Sequence, residues 1–350
     1  MSFTEAKLIY TSLVLGWVSD ELKEYQSMNK VVLVGNIPQE GKLSFYEHFK
    51  GRLNVAEAAN ADEAAAITDA TYLVVRGAKY SETEINRLPA SVKMLTRWGV
   101  GYDSVDIEAA GKKGITVTIC TGGNAEPVAE LTVLLMLAAY RKLPQLLERA
   151  RAGRKDKEDL ISQSFLLQDK TVGLLGVGNI GSRVARMAQG FGAAVQYYDV
   201  FRWDETRERA ANITYVDMDT LLRTSDIVSV HVPLLESTKG IINKETFAKM
   251  KNSAILINTA RGPIVNTEDL MTAIREGEIA AAGLDTIDGE PLPADHPIFQ
   301  CDRILLTPHA GGNTSDNTEN MVRIVVKSIF DMENGTGPDQ KFIVNSQYLH

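Results

Sequence analysis

Three side chains in the C-terminal half have the types and settings that proton and anion chemistry requires. Ile255-Leu256-Ile257-Asn258-Thr259-Ala260-Arg261-Gly262 reads as an apolar strand ending in an arginine. Gly283-Leu284-Asp285 is followed by Gly289-Glu290-Pro291, and Leu305-Leu306-Thr307-Pro308-His309 ends a second strand in a histidine. In open parallel sheets, ligands bind beyond the carboxyl ends of strands, so Arg261, Glu290 and His309 can converge although they are far apart in sequence. A histidine, with a reference pKa of ~6.5, can take the hydroxyl proton of an alcohol as hydride leaves its carbon and return that proton in the reverse direction. A carboxylate against the other ring nitrogen orients the imidazole and stabilises imidazolium. A guanidinium grips a carboxylate with two hydrogen bonds and polarises a neighbouring carbonyl. Taken singly, an Arg or Glu in a loop is usually surface charge, and a His after a Thr-Pro turn is as often structural. Their joint occurrence beside a nucleotide signature is what gives them weight.

That signature is Val172-Gly173-Leu174-Leu175-Gly176-Val177-Gly178-Asn179-Ile180-Gly181. Gly176, Gly178 and Gly181 form a G-x-G-x-x-G run. An apolar strand precedes it, a helical segment (Ile180–Gln189) follows it, and Asp199 ends the next strand 18 residues after Gly181. The first glycine permits a tight turn, the second lets the backbone approach a pyrophosphate, and the third allows close helix–strand packing. The helix N-terminus offers free N–H groups to the phosphates. Asp199 can accept from both ribose hydroxyls and would repel a 2′-phosphate, which favours NAD over NADP; Arg202 is the nearby residue that argues the other way.

These motifs need a scaffold, and the rest of the chain supplies one. Val31–Val34, Tyr72–Val75, Lys93–Arg97, Thr116–Ile119, Thr171–Leu175, Ala194–Tyr198, Asp226–Val230, Ala254–Asn258 and Ile304–Thr307 read as strands, with helical segments such as Ala61–Thr68 and Val105–Lys112 between most of them. Such alternation predicts βαβ units and parallel sheets covered on both faces. Two long helices interrupt it: Ala125–Arg141, apolar enough to be buried between domains or subunits, and Asp316–Asn334. Arg149–Asp159 reads as an exposed charged connector. The chain's 350 residues suggest two domains, and 44% apolar with 23% charged residues excludes a disordered, collagenous or disulfide-stapled chain. The net charge of −8 argues against nucleic acid or an anionic membrane as the main partner, while allowing a local cationic site for a small anion. Cys120 and Cys301 form no CxxC, so no metal cluster is expected and a reducing cytoplasm is the default. No apolar run reaches the ~20 residues of a membrane span. Leu8–Val18 lacks the flanks of a signal peptide; Ile9, Leu13, Trp17, Val18, Leu22 and Tyr25 instead predict an amphipathic helix ahead of the first strand, and Met28 is an alternative start.

In combination, the glycine loop, His231-Val232-Pro233-Leu234, Asn258-Thr259-Ala260-Arg261-Gly262, Glu290-Pro291-Leu292-Pro293 and Thr307-Pro308-His309 resemble the D-isomer-specific 2-hydroxyacid dehydrogenases over about residues 30–345. The resemblance implies two Rossmann-like α/β domains with parallel sheets: an NAD-binding domain, residues 122–312, inserted into a flavodoxin-like substrate-binding domain formed by residues 1–121 and 313–350. It implies that Arg261 binds substrate, His309 is the acid–base, Glu290 is its partner and Asp285 contacts the nicotinamide carboxamide. Pro233, Thr238, Thr259, Ala260, Gly311 and Gly312 would line the cofactor. Backbone N–H groups of Val100 and Gly101 would hold the substrate carboxylate. Arg76 would hold a distal anion, unless it is an ordinary strand-end surface arginine. Trp98, where a small residue is common, would narrow the pocket or pack against the second domain. Helix 125–141 would pack across a two-fold homodimer interface. His48, His296 and His350 have no nameable partner, and His231 reads as a cofactor-side residue. The implied activity is NAD-dependent interconversion of a D-2-hydroxy acid and its 2-keto acid. A phosphoglycerate-like substrate ranks slightly ahead of glyoxylate or hydroxypyruvate, and no C-terminal regulatory domain is expected. Formate chemistry is disfavoured because Glu290 stands where that branch has Gln. The alternative is an NAD(H)-sensing dimeric corepressor with weak dehydrogenase activity.

Overall fold

The computed structural model describes residues 28–349. The predicted helix at residues 9–25, the signal-peptide question and His350 lie outside the described residues. The described residues divide into two compact units, 28–123 with 314–349 and 124–313.

The first unit is a five-stranded parallel sheet, β1 (Lys30–Gly35), β2 (Asn54–Ala58), β3 (Ala70–Arg76), β4 (Met94–Arg97) and β5 (Thr116–Ile119), in the order β2-β1-β3-β4-β5. This 2-1-3-4-5 arrangement is the flavodoxin-like order. The central strands β1 and β3 are near-continuous Val, Leu and Tyr, as a sheet covered on both faces demands. On one face lie helices Gln39–Phe49 and Ser315–Glu333, where Phe45, Phe49, Val322, Val325 and Ile329 pack on Val31, Leu33 and Val74. Trp98 belongs to this layer. It meets Phe45 edge-to-face at 5.7 Å, and a Cβ at Gly41 would come within 3.1 Å of its ring. Its indole therefore packs inside its own unit against the helix that follows β1. The C-terminal segment protects the β5 edge: Val344 N–H donates to Val117 O, and the buried Asn345 accepts from Val117 N–H and donates to Ile115 O.

The second unit is a seven-stranded parallel sheet: β6 (Thr171–Leu175), β7 (Ala194–Tyr198), β8 (Thr214–Tyr215), β9 (Ile227–Val230), β10 (Ile255–Asn258), β11 (Ala281–Leu284) and β12 (Ile304–Leu306), ordered β12-β11-β10-β9-β6-β7-β8. The chain runs outward from β6 through β7 and β8, then returns to β9 on the other side of β6. The β6/β9 pair is therefore the topological switch point, where dinucleotides cross such sheets. Helix Ala125–Tyr140 buries eleven of its sixteen residues. Gly283 lets it lie against β11, since a Cβ there would sit 3.0 Å from Leu135 Cβ. Glu126 joins it to the helix after the glycine loop through Arg183 at 2.8 Å and Arg186 at 2.7 Å. The 149–159 connector is exposed, with Arg149 bonded twice to Asp159.

Candidate active site

Arg261, Glu290 and His309 follow β10, β11 and β12, three neighbouring strands of one parallel sheet. Their loops are braced against one another. Asn258, fully buried at the end of β10, donates to Arg261 O (2.9 Å) and accepts from Ala260 N–H (3.0 Å), fixing the turn that presents the guanidinium. Gly262 touches the next loop so closely that a Cβ would fall 2.0 Å from Ile287 C, so only glycine fits there. Arg261 is half-buried, and its Nη1 also donates to Ala260 O at 2.6 Å.

His309 Nδ1 lies 2.7 Å from Glu290 Oε1, with both side chains reaching solvent. The carboxylate can only accept, so Nδ1 carries the proton and the neutral ring presents Nε2 as a base. His309 sits at φ +51°, a left-handed conformation uncommon for a side chain of this size. Asp285 enforces it. This carboxylate is 2% exposed. It accepts from Thr307 Oγ1 (2.6 Å), Ala310 N–H (2.8 Å) and Gly311 N–H (2.8 Å), while its backbone carbonyl accepts from His309 N–H (3.0 Å). Sequence reasoning pointed Asp285 at the cofactor. Within the protein its oxygens also hold the His309 loop, and Thr307 and Asn258 are braces that only their positions inside the quoted motifs could have flagged.

The glycine loop follows β6. Gly176 has φ +96°, and a Cβ there would meet His231 backbone at 3.0 Å. At Gly181 a Cβ would lie 2.3 Å from Gly176 O, whereas at Gly178 it would meet nothing within 4 Å. Gly178 thus leaves an open approach at the N-terminus of helix Asn179–Gly190, a twelve-residue helix whose first N–H groups are free to meet phosphate oxygens. Asp199 closes the loop by accepting from Val177 N–H (2.9 Å) and Phe201 N–H (3.1 Å). Arg202, the residue that left room for NADP, is bonded to Glu208 at 2.9 and 3.1 Å and lies over the Tyr215 ring. The acid without a competing cation fits the unphosphorylated dinucleotide.

The other expected cofactor residues stand on the same carboxyl edge. Thr238 Oγ1 bonds to Pro233 O and Leu235 N–H, clasping the loop after β9. The Thr259 hydroxyl bonds to that of Thr132 at 2.8 Å; Thr132 donates to Val128 O, so Thr259 is the donor of the pair. Gly311 and Gly312 pack against Asp285 and Asn124. Arg76, Val100 and Gly101 belong to the first unit. Arg76 ends β3, bonds to Asn36 O, and is held below its ordinary pKa by burial. Val100 and Gly101 follow β4 in a partly exposed turn after Gly99 at φ +136°. His48 lies on the helix after β1 near Ser44 and Glu319, and His296 caps a short 3-10 turn. Among the described residues there is no metal-binding cluster and no helix long and apolar enough to cross a membrane.

Residues 133–311 match the family described as D-isomer specific 2-hydroxyacid dehydrogenase, NAD binding domain. The chain belongs to this family. Its members include a glyoxylate reductase of Thermofilum pendens, 38% identical over 272 residues that cover 77% of this chain and 79% of that protein. A glyoxylate reductase of Korarchaeum cryptofilum is 32% identical over 324 residues, covering 91% and 97%. Among solved structures, a glyoxylate reductase from Paecilomyes thermophila matches 92% of this chain and 99% of that one, with a TM-score of 0.82 at 26% identity. The protein is accordingly an NAD-dependent D-2-hydroxyacid dehydrogenase with two Rossmann-like units. NAD, when bound, accepts or delivers the hydride. What the chain supplies is a braced base, a guanidinium and a glycine cradle.

Proposed function

We propose that this dehydrogenase reduces a small 2-keto acid of the glyoxylate or hydroxypyruvate type. The observation that carries the chemistry is the Glu290–His309 pair at 2.7 Å, which leaves Nε2 to exchange a proton with the substrate oxygen. Arg261 grips the substrate carboxylate and polarises the reacting carbonyl. The backbone N–H groups of Val100 and Gly101, with Arg76, are the first unit's contribution to substrate binding. Gly176, Gly178, Asn179, Ile180 and Gly181 take the pyrophosphate, and Asp199 takes the ribose. Pro233, Thr238, Thr259, Ala260, Asp285, Gly311 and Gly312 shape the rest of the cofactor surface.

The choice of substrate is supported by the near full-length match to a glyoxylate reductase, of which the chain covers 97%. Although a D-3-phosphoglycerate dehydrogenase is also among the relatives, we place this substrate ahead of the phosphoglycerate-like one that the sequence alone ranks first. The bond from Arg76 to Asn36 O points the same way, since it already employs part of the guanidinium. In this reading residues 1–121 with 313–350 form the substrate-binding domain and residues 122–312 the NAD-binding domain. The enzyme works in the cytoplasm as a homodimer joined through the NAD-binding domain and helix 125–141. Leu134, half-exposed on a helix that buries eleven of its sixteen residues, is one apolar side chain available to such an interface. The test is NADH oxidation against a panel of 2-keto acids, with product chirality measured. Glyoxylate and hydroxypyruvate should turn over best, with hydroxypyruvate giving the D-product. Tight NADH binding with no turnover of any keto acid would refute the proposal and favour the sensor alternative.

A further inference from the structure

His231 follows β9 directly across from Gly176, at the β6/β9 switch point. Its backbone N–H donates to Leu175 O at 2.8 Å, and the Cδ2 edge of its ring lies 3.5 Å from where a Cβ of Gly181 would be. Ser229, fully buried two residues earlier on the same face of the strand, lies 2.9 Å from His231 Nε2. The other nitrogen, Nδ1, is buried and has no hydrogen-bond partner among the described residues.

Burial pushes the imidazole down to about 3, so it is neutral near pH 7 and carries one proton. The Ser229 hydroxyl proton also needs an acceptor, because a buried donor left unmade is costly. Its one acceptor among the described residues is His231 Nε2. Ser229 therefore donates, Nε2 is unprotonated, and the ring proton sits on Nδ1. A buried N–H donor with no partner among the described residues is left over on the residue that follows β9 at the β6/β9 switch point.

We propose that His231 is a cofactor-positioning residue whose Nδ1–H, locked in that tautomer by Ser229, donates to an oxygen of the bound dinucleotide. The donor then gains the acceptor that the protein alone withholds, and the glycine loop beside the ring edge is held in register with the phosphates. This goes beyond the proposed substrate and depends only on NAD being the cofactor. It also gives Ser229, which contacts no ligand, a defined task.

The test uses the full-length enzyme with 15N-labelled histidine. In the free protein the His231 ring should show protonated Nδ1 and bare Nε2. Adding NADH, or ADP-ribose where the acceptor lies in that half, should move the Nδ1–H resonance downfield and protect it from exchange. Two variants separate a donor at Nδ1 from mere packing. Asn places its amide nitrogen near the Nδ1 position, whereas Gln places it near Nε2. His231→Asn should bind NADH within about 3-fold of wild type, and His231→Gln should weaken binding by about 10-fold, the effect expected for one hydrogen bond. Ser229→Ala should release the tautomer and mix the two ring signals. An Nε2–H ring in the free enzyme, or an Nδ1 signal that NADH leaves unchanged, would overturn the proposal. So would equal NADH affinity in the Asn and Gln variants. The spectra of the wild-type protein decide the matter even where a variant does not fold.

Discussion

Asp285 offers the sharpest test of how the reacting histidine is held. Its two oxygens accept three hydrogen bonds in a nearly sealed setting, from Thr307 Oγ1, Ala310 N–H and Gly311 N–H at 2.6–2.8 Å. Asp285→Asn keeps the shape but replaces one acceptor oxygen with an NH2 donor. Whichever way the amide turns, at least one backbone N–H on the 310–311 turn then faces a donor. Losing one charge-assisted bond and stranding a buried donor together cost about 3 kcal/mol, allowing for relief of the buried charge. In a unit of this size each kcal/mol lowers Tm by about 2–4 °C, so a drop of about 6–12 °C is expected. Activity should fall further than stability. His309 is kept at φ +51° by these same bonds, and a residue in that region reverts when its surroundings stop enforcing it. A displacement of about 1 Å at the base is enough to lower kcat about 100-fold. Thermal unfolding followed by circular dichroism, alongside steady-state reduction of the preferred keto acid, reads both effects. A variant melting within 2 °C of wild type, about a third of the smallest expected drop, and keeping more than half its kcat would show that the loop does not depend on Asp285.

Two further outcomes follow from the same geometry. Asp199→Ala removes the ribose-side acceptor and its bonds to Val177 and Phe201; the preference for NADH over NADPH should fall by about 10-fold or more, as compared kcat/KM values would show, and a wild-type enzyme using both equally would refute the assignment. Asp226 sits between Lys251 at 2.8 Å and Thr171 N–H at 2.9 Å; burial works to raise its pKa, but these two partners outweigh it and hold the carboxyl below its usual range. A carboxyl depressed on folding adds stability that is full above the unfolded value of ~3.9 and is lost as pH falls through the folded value. Urea unfolding of Asp226→Asn should therefore show a deficit at pH 7 that shrinks as the pH falls below the unfolded value of ~3.9; a deficit independent of pH would contradict it.

Much of the scaffold was legible because strands buried on both faces are written in Val, Ile and Leu. Thr116–Ile119, Thr171–Leu175 and Ala194–Tyr198 fall where the pattern places them. Strands β2 and β11 were not legible. Asn-Val-Ala-Glu-Ala and Ala-Ala-Gly-Leu have weak strand propensity, and each is made a strand by its neighbours. Pairing along β1 extends β2, and the approach of helix Ala125–Tyr140 requires small residues on β11. The catalytic candidates could be found because each ends a strand inside a recognisable turn. What could not be read was where their supporting groups point. A sequence shows that Asp285 is near the site but not that its oxygens are occupied by the His309 loop. Trp98 likewise looked like a pocket residue until Phe45 and Gly41 accounted for it. The Ser229–His231 pair did leave a trace, since residues two apart on a strand share a face.

The braces around Arg261, Glu290 and His309 also explain how residues so distant in sequence can act in concert. Parallel pairing of β10, β11 and β12 aligns their carboxyl ends, but strand ends alone would leave three independent loops. Asn258 fixes the first, the close approach of Gly262 to Ile287 couples the first to the second, and Asp285 at the end of β11 grips the third. The second and third braces each join adjacent loops, so an error in one loop is passed to the next. Reaction geometry is therefore as sensitive to Asn258, Gly262 and Asp285 as to the groups that touch substrate, even though only the latter have reactive side chains. The Glu290–His309 bond is the one link in this chain that stays open to solvent. That is where a proton must enter and leave, and where rigidity gives way to exchange.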